Sequence, residues 1–173
     1  PEKMCRRGLS RTFQIPIPFP KMTVLENVMT ATIFGNKKGS IQDPAAHSRK
    51  MLEYVEFPLP ENTISEKLNT VQLKRLDLAR ALACGPKLLF LDEPTAGMSQ
   101  EEVPAILEVL EKIKSSRDRT ILLVEHKMDM IMALSDSFAV LQDGRLIADG
   151  DPDAIHRSRE VQEAYLGGGA KLE

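Results

Sequence analysis

Two apolar runs in this chain each end in a pair of side chains able to manage protons and cations. Leu88 to Leu91 reads LLFL and is followed by Asp92 and Glu93, while Thr120 to Val124 reads TILLV and is followed by Glu125 and His126. A carboxylate such as Asp92 can hold a magnesium ion, directly or through water, and an adjacent one such as Glu93 can polarise a water aimed at a terminal phosphate. His126 could contact that phosphate or the water. Strand ends often finish in polar residues, which explains any one of the four taken singly. Their arrival from two separate strands is what argues for a site.

The elements needed to deliver them can be read from the patterning. Leu88–Leu91 is apolar at every position rather than alternating, as expected of a parallel strand covered on both faces by helices. A helix around Glu101–Ser116 leads to the second strand, so strand, helix and strand form a right-handed crossover unit in a parallel sheet. Open parallel sheets bind ligands in the crevice beyond the carboxyl ends of their strands, where both polar pairs lie.

Upstream, residues 1–21 are rich in Arg and Pro and read as loop, with SRTFQI a candidate short strand. Thr23 and Glu26 have capping-box spacing, and Val24, Leu25, Val28 and Met29 follow at helical intervals up to Gly35. Asn36–Ser40 reads as loop. Asp43 and Pro44 open a second helix that runs to about Val55 with Met51, Leu52 and Val55 on its apolar side, and Pro58 and Pro60 follow it. Leu73, Leu76, Ala79 and Leu82 predict a helix over Val71–Ala83, stopped by Gly85 and Pro86. The tail predicts a helix at Met128–Leu134 and a hairpin of Phe138–Leu141 with Leu146–Ala148 turning at Asp143 and Gly144. Further helices are expected near Pro152 and Glu160. Gly167–Gly169 reads as a flexible end, and Lys171–Glu173 as residues that a vector could supply.

Composition bounds the partners. The chain has 173 residues, 42% of them hydrophobic, which suits one domain with a sizeable core. Its 25 acidic and 23 basic residues leave a net charge of -2, giving no general attraction to nucleic acid or anionic lipid. No apolar stretch approaches the roughly 20 residues needed to span a bilayer. Cys5 and Cys84 have no metal-ligand or redox spacing, so each reads as a free buried thiol and the setting as cytosolic.

The apolar run followed by DEPT at Asp92–Thr95, and then a strand followed by a histidine, resembles the ATP-binding-cassette ATPases in order and spacing. The resemblance implies a P-loop-NTPase-like α/β fold, a mostly parallel sheet flanked by helices with a helical subdomain. It implies that Asp92 is the Walker B aspartate and a metal residue, Glu93 the catalytic base and His126 the switch histidine. RTFQ at Arg11–Gln14 is similar to the family segment whose glutamine reaches the metal and the attacking water, which makes Gln14 a second metal candidate. Leu68–Arg75, LNTVQLKR, aligns with the signature usually written LSGGQ plus a downstream arginine. Asn69, Thr70, Val71 and Gln72 are then the candidate contacts to a nucleotide held by a partner subunit, through a helix N-terminus that favours anions. Val71 stands where glycine would permit the closest approach, and capping of the helix by Asn69 and Thr70 is an alternative reading. AGMS at Ala96–Ser99 resembles the D-loop, with serine in place of the usual aspartate.

The motif G-x-x-x-x-G-K-[ST] occurs nowhere in the sequence, and Gly35–Ser40 lacks its spacing. In the family this loop precedes the RTFQ segment, so the expectation is a partial domain whose N-terminal strands and phosphate loop are missing. Within it, residues 22–70 are expected to form the helical subdomain, residues 1–21 and 71–166 the RecA-like core and residues 167–173 a tail. RTFQIPIPFPKMTVLENV and the terminal VQEAYLGGG resemble the ATP-binding subunits of branched-chain amino acid importers. That likeness implies ATP and Mg2+ as cofactors and a second ATPase subunit and transmembrane permease subunits as partners. It also implies a location on the inner face of the cell membrane. Phe19, Met22 and Val24 are candidate permease contacts, with packing of the helical subdomain as the alternative. Met128, Met130 and Met132 read as adaptable core filler. Two other functions remain open: a non-catalytic interaction module unable to bind ATP, and a nucleic-acid-maintenance ATPase. Against the second, no heptad run or zinc-type cysteine pairs are present.

Overall fold

β2 (Leu88–Asp92) is the central strand of a parallel three-stranded sheet ordered β1-β2-β3, in a computed structural model that describes residues 2–36 and 40–166. β1 (Leu9–Arg11) lies on one side of β2, with Leu9 opposite Leu88, and β3 (Thr120–Val124) on the other, with Asp92 opposite Val124. The strand expected within SRTFQI lies earlier than its aromatic and β-branched residues suggested. Its last ladder bond is Thr12 N–H to the Phe90 carbonyl at 2.9 Å, beyond which Phe13 turns away to donate its N–H to Asp77.

The chain divides into two compact units, one ending at His126 and the other beginning at Lys127. In the first unit, α1 (Glu2–Cys5) precedes β1, and α2 (Val24–Gly35) opens with the predicted reciprocal capping box of Thr23 and Glu26. Val24 and Val28 are fully buried in it. Val24 is therefore core, which is the packing alternative given for it beside the permease contact. Asn27, also fully buried, donates to the Phe19 and Thr23 carbonyls and accepts from Phe19 N–H at 2.8 Å, so one amide shapes the Pro-rich approach to the helix. α3 (Pro44–Tyr54) is capped by Asp43, whose side chain accepts from Ala46 N–H. α4 (Thr70–Ala83) is buried far beyond the predicted stripe, with Lys74, Leu76, Asp77, Leu78, Ala79, Ala81 and Leu82 all enclosed. Arg75, on the same helix, donates to the Val55 and Glu56 carbonyls where α3 ends and to Ala105 on α5 (Val103–Ser115).

The second unit contains α6 (Met128–Leu134), the hairpin β4 (Phe138–Gln142) and β5 (Arg145–Gly150), α7 (Pro152–Arg157) and α8 (Arg159–Leu166). Asp143 and Gly144 both take positive φ at the turn, the conformation that matches strand twist in a two-residue hairpin. Phe138, Val140, Ile155 and Val161 form its core, with Met128 and Met132 packed against it, as filler residues should be. The expectations for part of the Asn36–Ser40 loop and for the Gly167–Gly169 end lie outside the described residues. No helix among the described residues is long and apolar enough to cross a membrane.

The main departure concerns the sheet. Leu89 and Leu91 are buried, but Leu122 and Val124 on β3 are 49% and 52% exposed. Their face opens on a cavity of about 750 Å³ lined also by Phe90, Ile17 and Arg11. An apolar strand sequence reports what a strand can tolerate on both faces, and among the described residues only one face of this sheet is closed. In this chain Leu89→Ala should lower unfolding free energy in urea by about 2–5 kcal/mol, and Leu122→Ala by about 0.5 kcal/mol or less. Equal losses would contradict a sheet covered on one side.

Candidate functional site

β2 runs out at Asp92, and the next residue, Glu93, takes a φ of 41°. That left-handed conformation is uncommon for a residue with a side chain and costs of order 1 kcal/mol, so it must be held. One restraint is its own N–H, which donates to the Val124 carbonyl at 2.9 Å and fastens the exit of β2 to the last residue of β3. A second comes from Lys74 on α4. Its ammonium is buried and donates to the Gln14 carbonyl at 2.6 Å and to the Glu93 carbonyl at 3.0 Å. Burial pushes the Lys74 pKa down, and the surrounding carboxylates of Asp77, Glu125, Glu93 and Asp92 oppose that shift.

With the backbone so fixed, three of the predicted residues meet. Gln14 donates its amide N–H to Glu93 Oε2 at 2.6 Å, and His126 Nδ1 lies 4.0 Å from Glu93 Oε1. Asp92 is the next residue in the chain, but its carboxylate lies outside this contact group, with its Oδ2 paired with Arg11 at 2.8 Å. Glu125 supports the arrangement from beneath. Its carboxylate is completely buried, and it accepts from the Thr95 hydroxyl at 2.7 Å and from His126 N–H at 3.1 Å. The loop after β2 and the loop after β3 are thereby joined by a carboxylate that bulk water does not reach.

Asn69, Thr70, Val71 and Gln72 lie together at the N-terminus of α4 rather than within that cluster. Asn69 and Gln72 form a reciprocal capping box, each side chain accepting from the other's backbone N–H at 3.0 Å. The capping alternative is thus satisfied for Asn69. The positive φ of Gly97 in the following AGMS turn brings its backbone beside Thr70, whose methyl lies 4.0 Å from where a Cβ would stand.

Residues 1–96 match the family model described as ABC transporter, and residues 145–171 match the one described as branched-chain amino acid ATP-binding cassette transporter. This chain belongs to the ABC transporter ATP-binding family. It is 34% identical over 180 residues to the high-affinity branched-chain amino acid transport ATP-binding protein BraF of Pseudomonas aeruginosa, across 95% of this chain and 70% of that protein. It is 32% identical to the corresponding LivG protein of Escherichia coli, across 96% of this chain and 70% of that protein. Among solved structures, an ATP-binding cassette of an ABC transporter in its ADP conformation superposes with a TM-score of 0.80 at 26% identity, covering 96% of this chain and 71% of that one. A nucleotide-free cassette superposes with a TM-score of 0.75 at 25% identity, covering 100% of this chain and 70% of that one. The α/β cassette fold expected from the ABC resemblance is what the chain adopts.

Sequence reasoning missed Lys74 and gave Glu125 no role beyond its place after the strand. A signal for Lys74 existed: it shares a helix face with Leu78 and Ala81, at i, i+4 and i+7, where a cation is out of place unless it has partners. Replacing it should loosen two loops more than the whole. In Lys74→Met, amide exchange of the segments around Gln14 and Glu93–Thr95 should accelerate relative to the β2 interior, and unchanged local exchange would refute the bridging role. Thr95→Val, which strips a partner from buried Glu125, should destabilise the first unit by about 1–3 kcal/mol in urea.

Proposed function

We propose that this chain provides the hydrolytic side of an ATPase site in an importer of branched-chain amino acids. The observation that carries the reading is the convergence of Gln14, Glu93 and His126 at the β2 and β3 exits, with Asp92 the last residue of β2 beside them. In it, Glu93 is the base that orients and polarises a water, Gln14 positions Glu93 and that water, and His126 contacts the terminal phosphate. The substrate class rests on the likeness to proteins whose names give branched-chain amino acid transport.

The donor set also bears on the cation. Among the described residues no group of three or more His, Cys, Asp and Glu side chains could hold a metal unaided. Magnesium is commonly bound by one or two carboxylates together with substrate phosphates, so Asp92 and the Gln14 amide oxygen fit an ion arriving with nucleotide. When bound, it would supply charge neutralisation at the β and γ phosphates. Arg11 would have to give up Asp92, an exchange that a surface ion pair worth little allows. The phosphates themselves have no holder in these 173 residues, because no G-x-x-x-x-G-K-[ST] is among them.

Residues 22–70 are proposed as the subdomain facing transmembrane permease subunits, with Phe19, 45% exposed, as a contact beside it. Asn69–Gln72 are proposed to face nucleotide on a second ATPase subunit. The capping box favours a second reading for this part of the chain, in which Asn69 and Gln72 serve α4 alone and the polypeptide acts as a binding module.

Two measurements separate these readings. In an intact cassette carrying a phosphate loop, Glu93→Gln should slow ATP hydrolysis by about a hundredfold or more while ATP binding persists, and unchanged turnover would remove Glu93 from its role. Residues 1–173 alone should show no ATP turnover; magnesium-dependent hydrolysis by this polypeptide would disprove its dependence on a phosphate loop.

A further inference from the structure

The chain contains two cysteines, one near its start and one midway, and folding brings them together. Cys5 ends α1 and its thiol donates to the Gly35 carbonyl at 3.6 Å. Cys84 is the C-cap residue just after α4, and its thiol reaches the Ala31 carbonyl at 3.7 Å and the Arg80 carbonyl at 3.5 Å. Both sulfurs press on the one place where the end of α2 carries no side chain. A Cβ added to Gly35 would collide with the Cys84 sulfur and lie 3.4 Å from the Cys5 sulfur. The two thiols thus face the same point from neighbouring helix ends. Both also line the cavity of about 750 Å³ on the open face of the sheet, which gives a small oxidant a route to them.

We propose that Cys5 and Cys84 form an oxidisable dithiol, a modification site that a hydroperoxide closes to an intramolecular disulfide. Burial, and then the neighbouring Cys5, push the Cys84 thiol up to about 12, more than Ser10 and Arg80 pull it down. No residue of α1 is buried, whereas Cys84 follows the enclosed last turn of α4, so Cys5 is the sulfur that meets the oxidant first. The Cys5 sulfur attacks the O–O bond of hydrogen peroxide and becomes a sulfenic acid, and the departing oxygen leaves as water. The Cys84 sulfur then attacks the Cys5 sulfur, the S–O bond breaks, and the hydroxyl departs as a second water with the Cys84 proton. Two thiols and one peroxide give one disulfide and two waters. The bond would tie α1, which leads through β1 to Gln14, to the end of α4, the helix that carries Lys74. The proposal stands on the thiol geometry and does not depend on the ATPase reading.

The test uses residues 1–173 at low concentration, treated with hydrogen peroxide, alkylated under native conditions and then mapped by non-reducing peptide mass spectrometry. The expected result is a linked Cys5–Cys84 peptide lacking two hydrogens, loss of both thiols together, and recovery of both with dithiothreitol. In Cys84→Ser, Cys5 has no partner and should advance to sulfinic acid under the same treatment. Diamide on the unmodified chain gives an independent reading and should yield the same linked peptide. The proposal is overturned if Cys5 reaches sulfinic acid while Cys84 stays alkylatable in the unmodified chain, or if the only disulfides found join separate molecules.

Discussion

A buried ammonium organises the first unit of this protein. Lys74 donates to the main-chain carbonyls of Gln14 and Glu93, residues that leave the sheet from different strands and are far apart in sequence. Taking a charge out of water is costly unless its hydrogen bonds are made, and a lysine offers three donors with no acceptor. The cost is offset here by two carbonyls at close range and by the nearby carboxylates of Asp77, Glu125, Glu93 and Asp92. The left-handed backbone of Glu93 is the consequence that bears on the proposed function. It survives because its carbonyl is held by Lys74 and its N–H by Val124, so the strain is stored where the chain must turn a carboxylate toward Gln14 and His126.

Glu125 does for the neighbouring loop what Lys74 does for this one, with the opposite charge. Its buried carboxylate accepts from Thr95 and His126, so the segment after Glu93 and the start of the segment after β3 share one acceptor. A cation and an anion, both enclosed and both bonded mainly to backbone and hydroxyl groups, give a pre-organised scaffold of the kind the proposed phosphoryl transfer would need. The ABC transporter ATP-binding family supplies the reaction class. The geometry supplies the reason these particular side chains meet.

Much of this was legible in the sequence because it rests on local rules. The caps at Thr23, Asp43 and Asn69, the turn at Asp143 and Gly144 and the strand Thr120–Val124 follow from residue type and spacing and lie where expected. Asp92, Glu93 and His126 were legible because polar residues at the ends of adjacent parallel strands have little choice but to converge. Gln14 was legible only through the family resemblance, since an isolated glutamine in a Pro-rich loop carries no pattern of its own. The remainder depends on contacts between distant segments. The shift of β1 to Leu9–Arg11 follows from its register on β2 and from Asp77 capturing Phe13. The enclosure of Lys74 and of Asn27 depends on carbonyls that no periodicity predicts. Nor could the spacing of Cys5 and Cys84 reveal that both sulfurs would meet at Gly35.

The central claim is that Gln14 and Glu93 belong to one site, and a double-mutant cycle in folding stability addresses it without nucleotide. Gln14→Ala, Glu93→Ala and the double variant, compared with the unmodified chain by urea unfolding, isolate the interaction between the two side chains. The account predicts a favourable coupling of about 1 kcal/mol from the 2.6 Å amide-to-carboxylate bond. Losses that simply add, with a coupling within about 0.3 kcal/mol of zero, would contradict it.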